Sequence, residues 1–160
     1  MAVDMFLKID DIKGDSIDHK HAGEIEVLSW SWGVTQTGTT HSGTGGGAGK
    51  ANVHDVTVTK WVDSASPKLL LNCCTGKHLK EANLVVRKAG DKPLEYVKMK
   101  LEDLLITSVQ TGGSGGDDRL QETLSLNFAK IEFNYVPQKK DGSGDAPIPM
   151  KFDISTNTKL

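Results

Sequence analysis

Hydrophobic and polar residues alternate with a period of two along most of the chain, which is the pattern of half-buried β-strands. The first strand is predicted from Val3 to Ile9, where every second residue is apolar, and it leads into the polar turn 10–18. Further strands are predicted at residues 24–33, 53–62, 82–87, 96–109, 120–136 and 148–154. The chain is therefore expected to be mainly β.

Two of these segments change face along their length. In the segment 24–33, Ile25 and Val27 fall on one register of the alternation. The other register holds the larger apolar side chains that we expect to face the core, Leu28, Trp30 and Trp32. In the segment 120–136 the apolar positions change register after Phe128. Such changes indicate β-bulges, and a long strand that changes face suits a barrel or a bent two-sheet body.

The segment 96–109 is compatible with two kinds of secondary structure. Its apolar residues alternate as in a strand, but those that also fit helical spacing are Val97, Leu101, Leu104 and Leu105. We interpret the segment as a strand.

One short helix is predicted at about residues 66–75. Ser66 can cap its N-terminus, Pro67 suits its first position and Gly76 can end it. The apolar stripe expected to face the core, with both cysteines, is Leu69, Leu70, Cys73 and Cys74. The fold class is therefore a small antiparallel β-barrel or bent two-sheet body with one short flanking helix and a long glycine-rich loop. We expect a single domain over residues 1–160.

The balance of charge excludes several classes of partner. Among 160 residues, 19 are Lys or Arg and 21 are Asp or Glu, so the net charge is -2, and Arg87 and Arg119 are the only arginines. This composition argues against nucleic-acid binding. The apolar runs are far shorter than the roughly 20 residues that span a bilayer, so no membrane insertion is expected. The N-terminus lacks the features of a signal peptide, and we expect the protein to start in the cytoplasm.

Two glycine-rich segments match motifs of enzymes in form only. Residues 43–48 fit the dinucleotide-binding fingerprint, and residues 112–116 fit the G-x-S-x-G pattern of a nucleophile elbow. Both motifs require a helix after the glycines, whereas strand-like sequence follows each of them here. We interpret the second segment as a hairpin connection, and we expect no catalytic residues and no cofactor.

The strongest enzyme-like signal is His19 with His21, followed by Glu26, which comes close to the first metal-binding motif of cupins. Residues two apart on a strand point to one side, and a carboxylate could complete a ligand set. The second cupin motif needs a Pro-x-Gly turn, which the chain lacks, so we expect no metal site. The alternative functions are a cupin-like metal-dependent enzyme and a small-ligand-binding β-barrel.

Two blocks of sequence are distinctive, Leu-Ser-Trp-Ser-Trp-Gly at 28–33 and Gly-Gly-Ser-Gly-Gly at 112–116. Further blocks lie at 1–9, 12–16, 24–27, 76–78, 87–90 and 125–128. Together they resemble the Hcp family, the haemolysin-coregulated proteins that form the inner tube of bacterial type VI secretion systems. The resemblance extends over most of the chain.

The resemblance implies a structural subunit rather than an enzyme. Such a subunit forms hexameric rings that stack into a tube, and it is secreted through the type VI system without a signal peptide. The implied partners are further copies of the chain, the spike protein at the tube tip, the contractile sheath and small secreted effectors in the lumen.

Two sets of residues are expected to carry this function. If the large apolar residues of 24–33 face the core, alternation places Ser29 and Ser31 on the opposite face, which the resemblance makes the lumen. The long polar loop is expected to join subunits or stacked rings, because flexible glycine-rich chain is ordered best by a partner. Its residues are Gly38, Thr39, His41, Gly43, Gly45, Gly46, Gly47 and Gly49.

Overall fold

A computed structural model describes residues 2–38, 46–47 and 49–160. Within these residues the elements are β1 (Val3–Ile9), β2 (Ile25–Ser31), β3 (Val34–Thr35), β4 (Asn52–Val53), β5 (Val56–Trp61), α1 (Ser66–Thr75), β6 (Leu79–Lys88), β7 (Leu94–Gly112), β8 (Gln121–Tyr135), β9 (Ile148–Asp153) and β10 (Thr158–Lys159). In the described part of the chain, no helix is long and apolar enough to cross a membrane.

Six antiparallel strands close into a barrel in the order β1-β2-β5-β8-β7-β6, and β6 returns to β1. β9 and β10 extend the sheet from β8. The short strands β3 and β4 form a separate two-stranded ribbon at the base of the glycine-rich loop. The mainly β barrel with one short helix predicted from the sequence is confirmed.

The predicted change of face in β2 is confirmed as a bulge, since its register with β5 shifts between Val27 and Ser29. Trp30 and Trp32 are half-buried and pack against the core. The expectation that Leu28 faces the core with them is wrong. Leu28 is the bulged residue, so its side chain turns outward and is 36% exposed.

The long hairpin of β7 and β8 also changes face. In β8 the buried positions shift between Phe128 and Ile131, as the sequence pattern predicts. In β7, Asp103 lies in the left-handed region, at φ 53°, and the register with β8 shifts between Ile106 and Ser108. The helical alternative for this segment does not form, because β6 and β8 pair with both edges of its first half.

The helix α1 packs on the core-facing side of β7, but the side chains that it buries differ from those expected. Leu69 is fully buried and Cys73 packs against the core, whereas Cys74, Leu70 and Leu71 are exposed. The prediction that the apolar stripe with both cysteines faces the core is therefore wrong for Leu70 and Cys74. The spacing of apolar residues alone could not show which side of the helix faces the core, because that depends on the contacts that hold its N-terminus.

The start of α1 is held by buried polar contacts. The N-cap residue is Ala65 and makes no side-chain cap, so the prediction that Ser66 caps the helix is wrong. The Ser66 hydroxyl instead donates to the buried Glu122 carboxylate at 2.7 Å. Proline in the first turn is confirmed, and Gly76 ends the helix in the left-handed conformation, with φ 64°.

Lys60 completes this buried cluster. Its ammonium lies 2.5 Å from Glu122 Oε1 and 2.8 Å from Asp63 Oδ1, and it also donates to the carbonyl of Trp61. Lys60 and Glu122 are fully buried and face each other across the β5–β8 ladder. The cluster joins the helix start to two barrel strands, and it explains why the Ser66 hydroxyl is not available as a cap.

Replacing Lys60 alone is expected to destabilise the subunit strongly. In Lys60→Met the Glu122 carboxylate would stay buried without its cation, which costs roughly 3–5 kcal/mol. The double variant Lys60→Met with Glu122→Leu removes both charges and should recover most of that loss. Urea unfolding of the parent, single and double variants measures the effect. Equal free energies of unfolding for the parent and Lys60→Met would contradict this account.

Candidate functional site

Four neighbouring strands, β2, β5, β8 and β7, present a face of small uncharged polar side chains. Cross-strand pairing aligns them in two rows. One row is Ser31, Thr57, Ser125 and Ser108, and the other is Ser29, Thr59, Thr123 and Gln110. Seven of the eight carry a hydroxyl group and Gln110 carries an amide, and we call all eight the hydroxyl face.

The hydroxyl face follows from alternation within each strand. In β5 the residues between the threonines, such as Val58, are buried, and in β8 Leu124 and Leu126 are buried in the same way. Because successive side chains point to opposite sides of a strand, the hydroxyl residues must face away from the core. Ser29 and Ser31 are exposed, as the alternation in their segment predicts.

The hydroxyl groups form cross-strand hydrogen bonds. The Oγ atoms of Ser108 and Ser125 are 2.5 Å apart, and the Oγ1 atoms of Thr59 and Thr123 are 3.4 Å apart. At one end of the face, Asp55 accepts bonds from the Thr107 hydroxyl at 2.7 Å and the Asn127 amide at 2.9 Å. The face therefore offers neutral donors and acceptors, which suits contact with polar surfaces of either charge.

This four-stranded region has two open edges. β1 pairs with β2 only at Phe6↔Glu26 and Leu7↔Ile25, so β2 beyond Glu26 has no strand partner on that side among the described residues. β6 pairs with β7 only as far as Leu104, and the rest of β7 is likewise open on that side within the described chain. Open strand edges present unpaired backbone donors and acceptors to another chain.

The base of the glycine-rich loop is well anchored. The Trp32 indole donates to the carbonyl of His54 at 3.0 Å, and the amide of His54 donates to the carbonyl of Gly33 at 3.0 Å. Farther out, the amide of Gly49 donates to the carbonyl of Thr37. The predicted loop residues that the structure describes are all exposed, and they are Gly38, Gly46, Gly47 and Gly49. The others, Thr39, His41, Gly43 and Gly45, lie outside the described residues.

The three residues of the cupin-like motif do not converge. His19 and Glu26 are exposed, whereas His21 is buried and stacks on Phe6 with 4.3 Å between ring centroids. The two ring nitrogens of His21 contact different carboxylates: one lies 2.9 Å from a Glu24 oxygen and the other 3.3 Å from a Glu95 oxygen. The described part of the chain contains no cluster of three or more such side chains that could hold a metal ion.

The turn 10–18 is clamped to the barrel by Arg87. Its guanidinium donates to both carboxylate oxygens of Asp18, at 3.0 and 2.7 Å, and to Asp4 at 3.1 Å. The hydrogen bonds from Arg87 hold the pKa of Asp18 well below its usual range, and they raise the pKa of Arg87. Gly14 adds a close approach, since a Cβ atom there would lie 2.6 Å from the carbonyl oxygen of Glu24.

Sequence reasoning missed most of the hydroxyl face. It identified Ser29 and Ser31, but not the residues of β5, β7 and β8 that continue their rows. A signal was present, because Thr57 and Thr59 alternate with valines and Thr123 and Ser125 alternate with leucines. Strand order, which brings these segments together, was not available from the alternation.

Comparison with known proteins agrees with this fold. Residues 6–135 match the family model described as type VI secretion system effector, Hcp. The chain is 50% identical to protein hcp1 of Pseudomonas aeruginosa over 161 aligned residues, which cover 99% of each chain.

Solved structures extend the likeness to three dimensions. One, a type six secretion system protein, superposes with a TM-score of 0.93 at 36% identity and covers 99% of this chain and 100% of its own. Hcp1 from Salmonella typhimurium superposes with a TM-score of 0.83 at 40% identity, with 100% of both chains covered. A match of sequence and fold over this length assigns the chain: it belongs to the Hcp family of type VI secretion proteins.

Proposed function

We propose that the chain is the structural subunit of a type VI secretion tube, assembled from closed rings of six copies. The observation that carries the proposal is the four-stranded hydroxyl face with an open edge on each side. A ring of identical subunits needs two different, complementary patches on each copy. The open edges of β2 and β7 meet that requirement.

The directions of the strands fit such an assembly. β2, β5, β8 and β7 alternate in direction, so β7 of one copy and β2 of the next would meet as an antiparallel pair. Repeating this contact around a ring would join the four-stranded regions into one continuous inner wall. The hydroxyl face, including Ser29 and Ser31, would then line the lumen.

A neutral polar wall supports passage and retention of cargo. Hydroxyl groups can bond to many polar surfaces, and the eight residues of the face carry no charge to exclude acidic or basic effectors. We therefore assign small secreted effectors as the cargo, with the tube-tip spike and the contractile sheath as further partners. In this function the chain is a carrier and building block, not an enzyme.

The first expectation is a closed homo-oligomer, of six copies, without stoichiometric metal or nucleotide. Native mass spectrometry of the purified protein measures the number of copies, and particle images show whether they form a ring. Elemental analysis checks the metal content. A monomer at all accessible concentrations, or one metal ion per chain, would favour the ligand-binding barrel or the cupin-like enzyme instead.

Enlarging Ser31 should impair effector retention and leave the ring intact. In Ser31→Gln a longer side chain would project from the hydroxyl face into the lumen without touching the core. Co-purification of effectors with the ring measures retention. A matched control is Thr158→Gln, since Thr158 is exposed on β10, outside the four strands that carry the hydroxyl face. Loss of the ring in Ser31→Gln would assign Ser31 to a subunit interface.

Shortening the loop between Gly38 and Gly49 to a tight turn should block tube assembly and secretion. The Trp32–His54 anchor lies outside the deletion, and the described loop residues are exposed, so the barrel loses little core. The thermal midpoint of the isolated subunit should therefore change little, as differential scanning calorimetry can test. Normal stacking and export by the shortened protein would move the stacking role to the turn 10–18.

A further inference from the structure

Ile17 is exposed on a segment that is otherwise firmly fixed. It is 94% exposed, although the turn around it is pinned by the Arg87 clamp on Asp18 and by the burial of Ser16. The amide of Ser16 also donates to the carbonyl of Glu24. A large apolar side chain on a fixed backbone is typical of a contact residue, because little backbone ordering entropy is lost when a partner covers it.

The surface around Ile17 continues to the open edge of β2. The exposed apolar residues Ile17, Val3 and Leu28 line one groove of about 330 Å³, which also has acidic residues in its lining. Leu28 is the bulged residue and lies two positions beyond Glu26, the last residue of β2 that pairs with β1, so the groove borders the edge that the proposed ring would use. We call this surface the Ile17 groove.

A second exposed apolar surface lies beside the other open edge. α1 makes its strand contacts with β7, and its inward residues Leu69 and Cys73 share the core with Val109, beyond the point where β6 ends. On the outward side of the helix, Leu71 is 60% exposed and Leu70 is 37% exposed. Each open edge is therefore flanked by its own apolar surface.

The charges around the two surfaces are complementary. The acidic residues that line the Ile17 groove are Asp4, Asp18 and Glu26. The two aspartates also form ion pairs with Arg87. The stretch 66–80 around α1 contains no acidic residue. Its lysines are Lys68, which contacts the Asp11 carbonyl of its own chain, and Lys77 and Lys80, which are exposed. Opposite charge favours a contact between two copies through different surfaces.

We propose that the Ile17 groove of one copy receives the Leu70–Leu71 surface of α1 from the next copy around the ring. The proposal rests on the ring assembly argued above and names the side-chain contact that accompanies strand pairing. Ile17 would pack on Leu71 behind the β2–β7 junction, and the lysines after α1 would approach the acidic groove. The partner is thus a second copy of this chain.

The test introduces opposite charges at Ile17 and Leu71. Ile17→Lys should place a cation against the neighbour's lysines, and Leu71→Glu should place an anion against the acidic groove. Each single variant should raise the protein concentration needed for ring formation at least about tenfold, because the same contact recurs at every interface. The double variant places Lys opposite Glu at every junction and should recover a ring. Native mass spectrometry over a concentration series measures all three.

Controls separate assembly from folding and from the ring proposal itself. Circular dichroism should show folded subunits in every variant, since both side chains lie outside the core. Ile148→Lys alters another exposed isoleucine, on β9, and should leave the ring unchanged. Assembly of both single variants at the parent concentration would overturn the contact and leave the groove to another partner. Single-variant losses without recovery in the double variant would also overturn it. A monomeric parent chain would instead overturn the ring.

Discussion

The antiparallel ladder between β7 and β8 is the interaction on which the rest of the structure depends. It runs from Val97 and Tyr135 to Gly112 and Gln121, and no other pair of strands in the described chain is joined over such a length. β6 follows β7 only to Leu104, while β5 and β9 share the other side of β8 between them. One hairpin therefore closes the barrel at one end and carries an open edge at the other.

The part of the β7–β8 hairpin that continues beyond the end of β6 needs a cover on its core-facing side, and α1 supplies it. A short helix with one fully buried leucine could rotate on such a surface, but the contacts of Ser66, Glu122 and Lys60 set its position. The same contacts turn Leu71 outward. The buried ionic cluster thus connects the interior of the subunit with the surface that we assign to a neighbouring copy.

The local pattern predicted much of the molecule because strand alternation is a short-range property. The seven longer strands, the change of face in β2 and β8 and the outward direction of Ser29 and Ser31 follow from it, and the residues at its ends predict the limits of α1. The two-residue strands β3, β4 and β10 were not predicted as separate strands. The failures have a common cause. The predictions for Leu28, Ser66 and Cys74 rest on the segment that contains each residue. In the structure a bulge sets the position of Leu28, the distant Glu122 carboxylate sets that of Ser66, and the packing of the helix sets that of Cys74.

The sequence by itself determined that the chain is mainly β, that hydroxyl residues alternate with aliphatic ones in two segments, and that the nearly balanced charge does not favour nucleic-acid binding. Only the tertiary structure decided that β2, β5, β8 and β7 lie side by side and that, within the described residues, β2 and β7 have no strand partner along part of their outer edges. The physical reason is the distance along the chain over which each property is set. Alternation is set by neighbouring residues, whereas strand order and unpaired edges depend on hydrogen bonds between segments far apart in the chain.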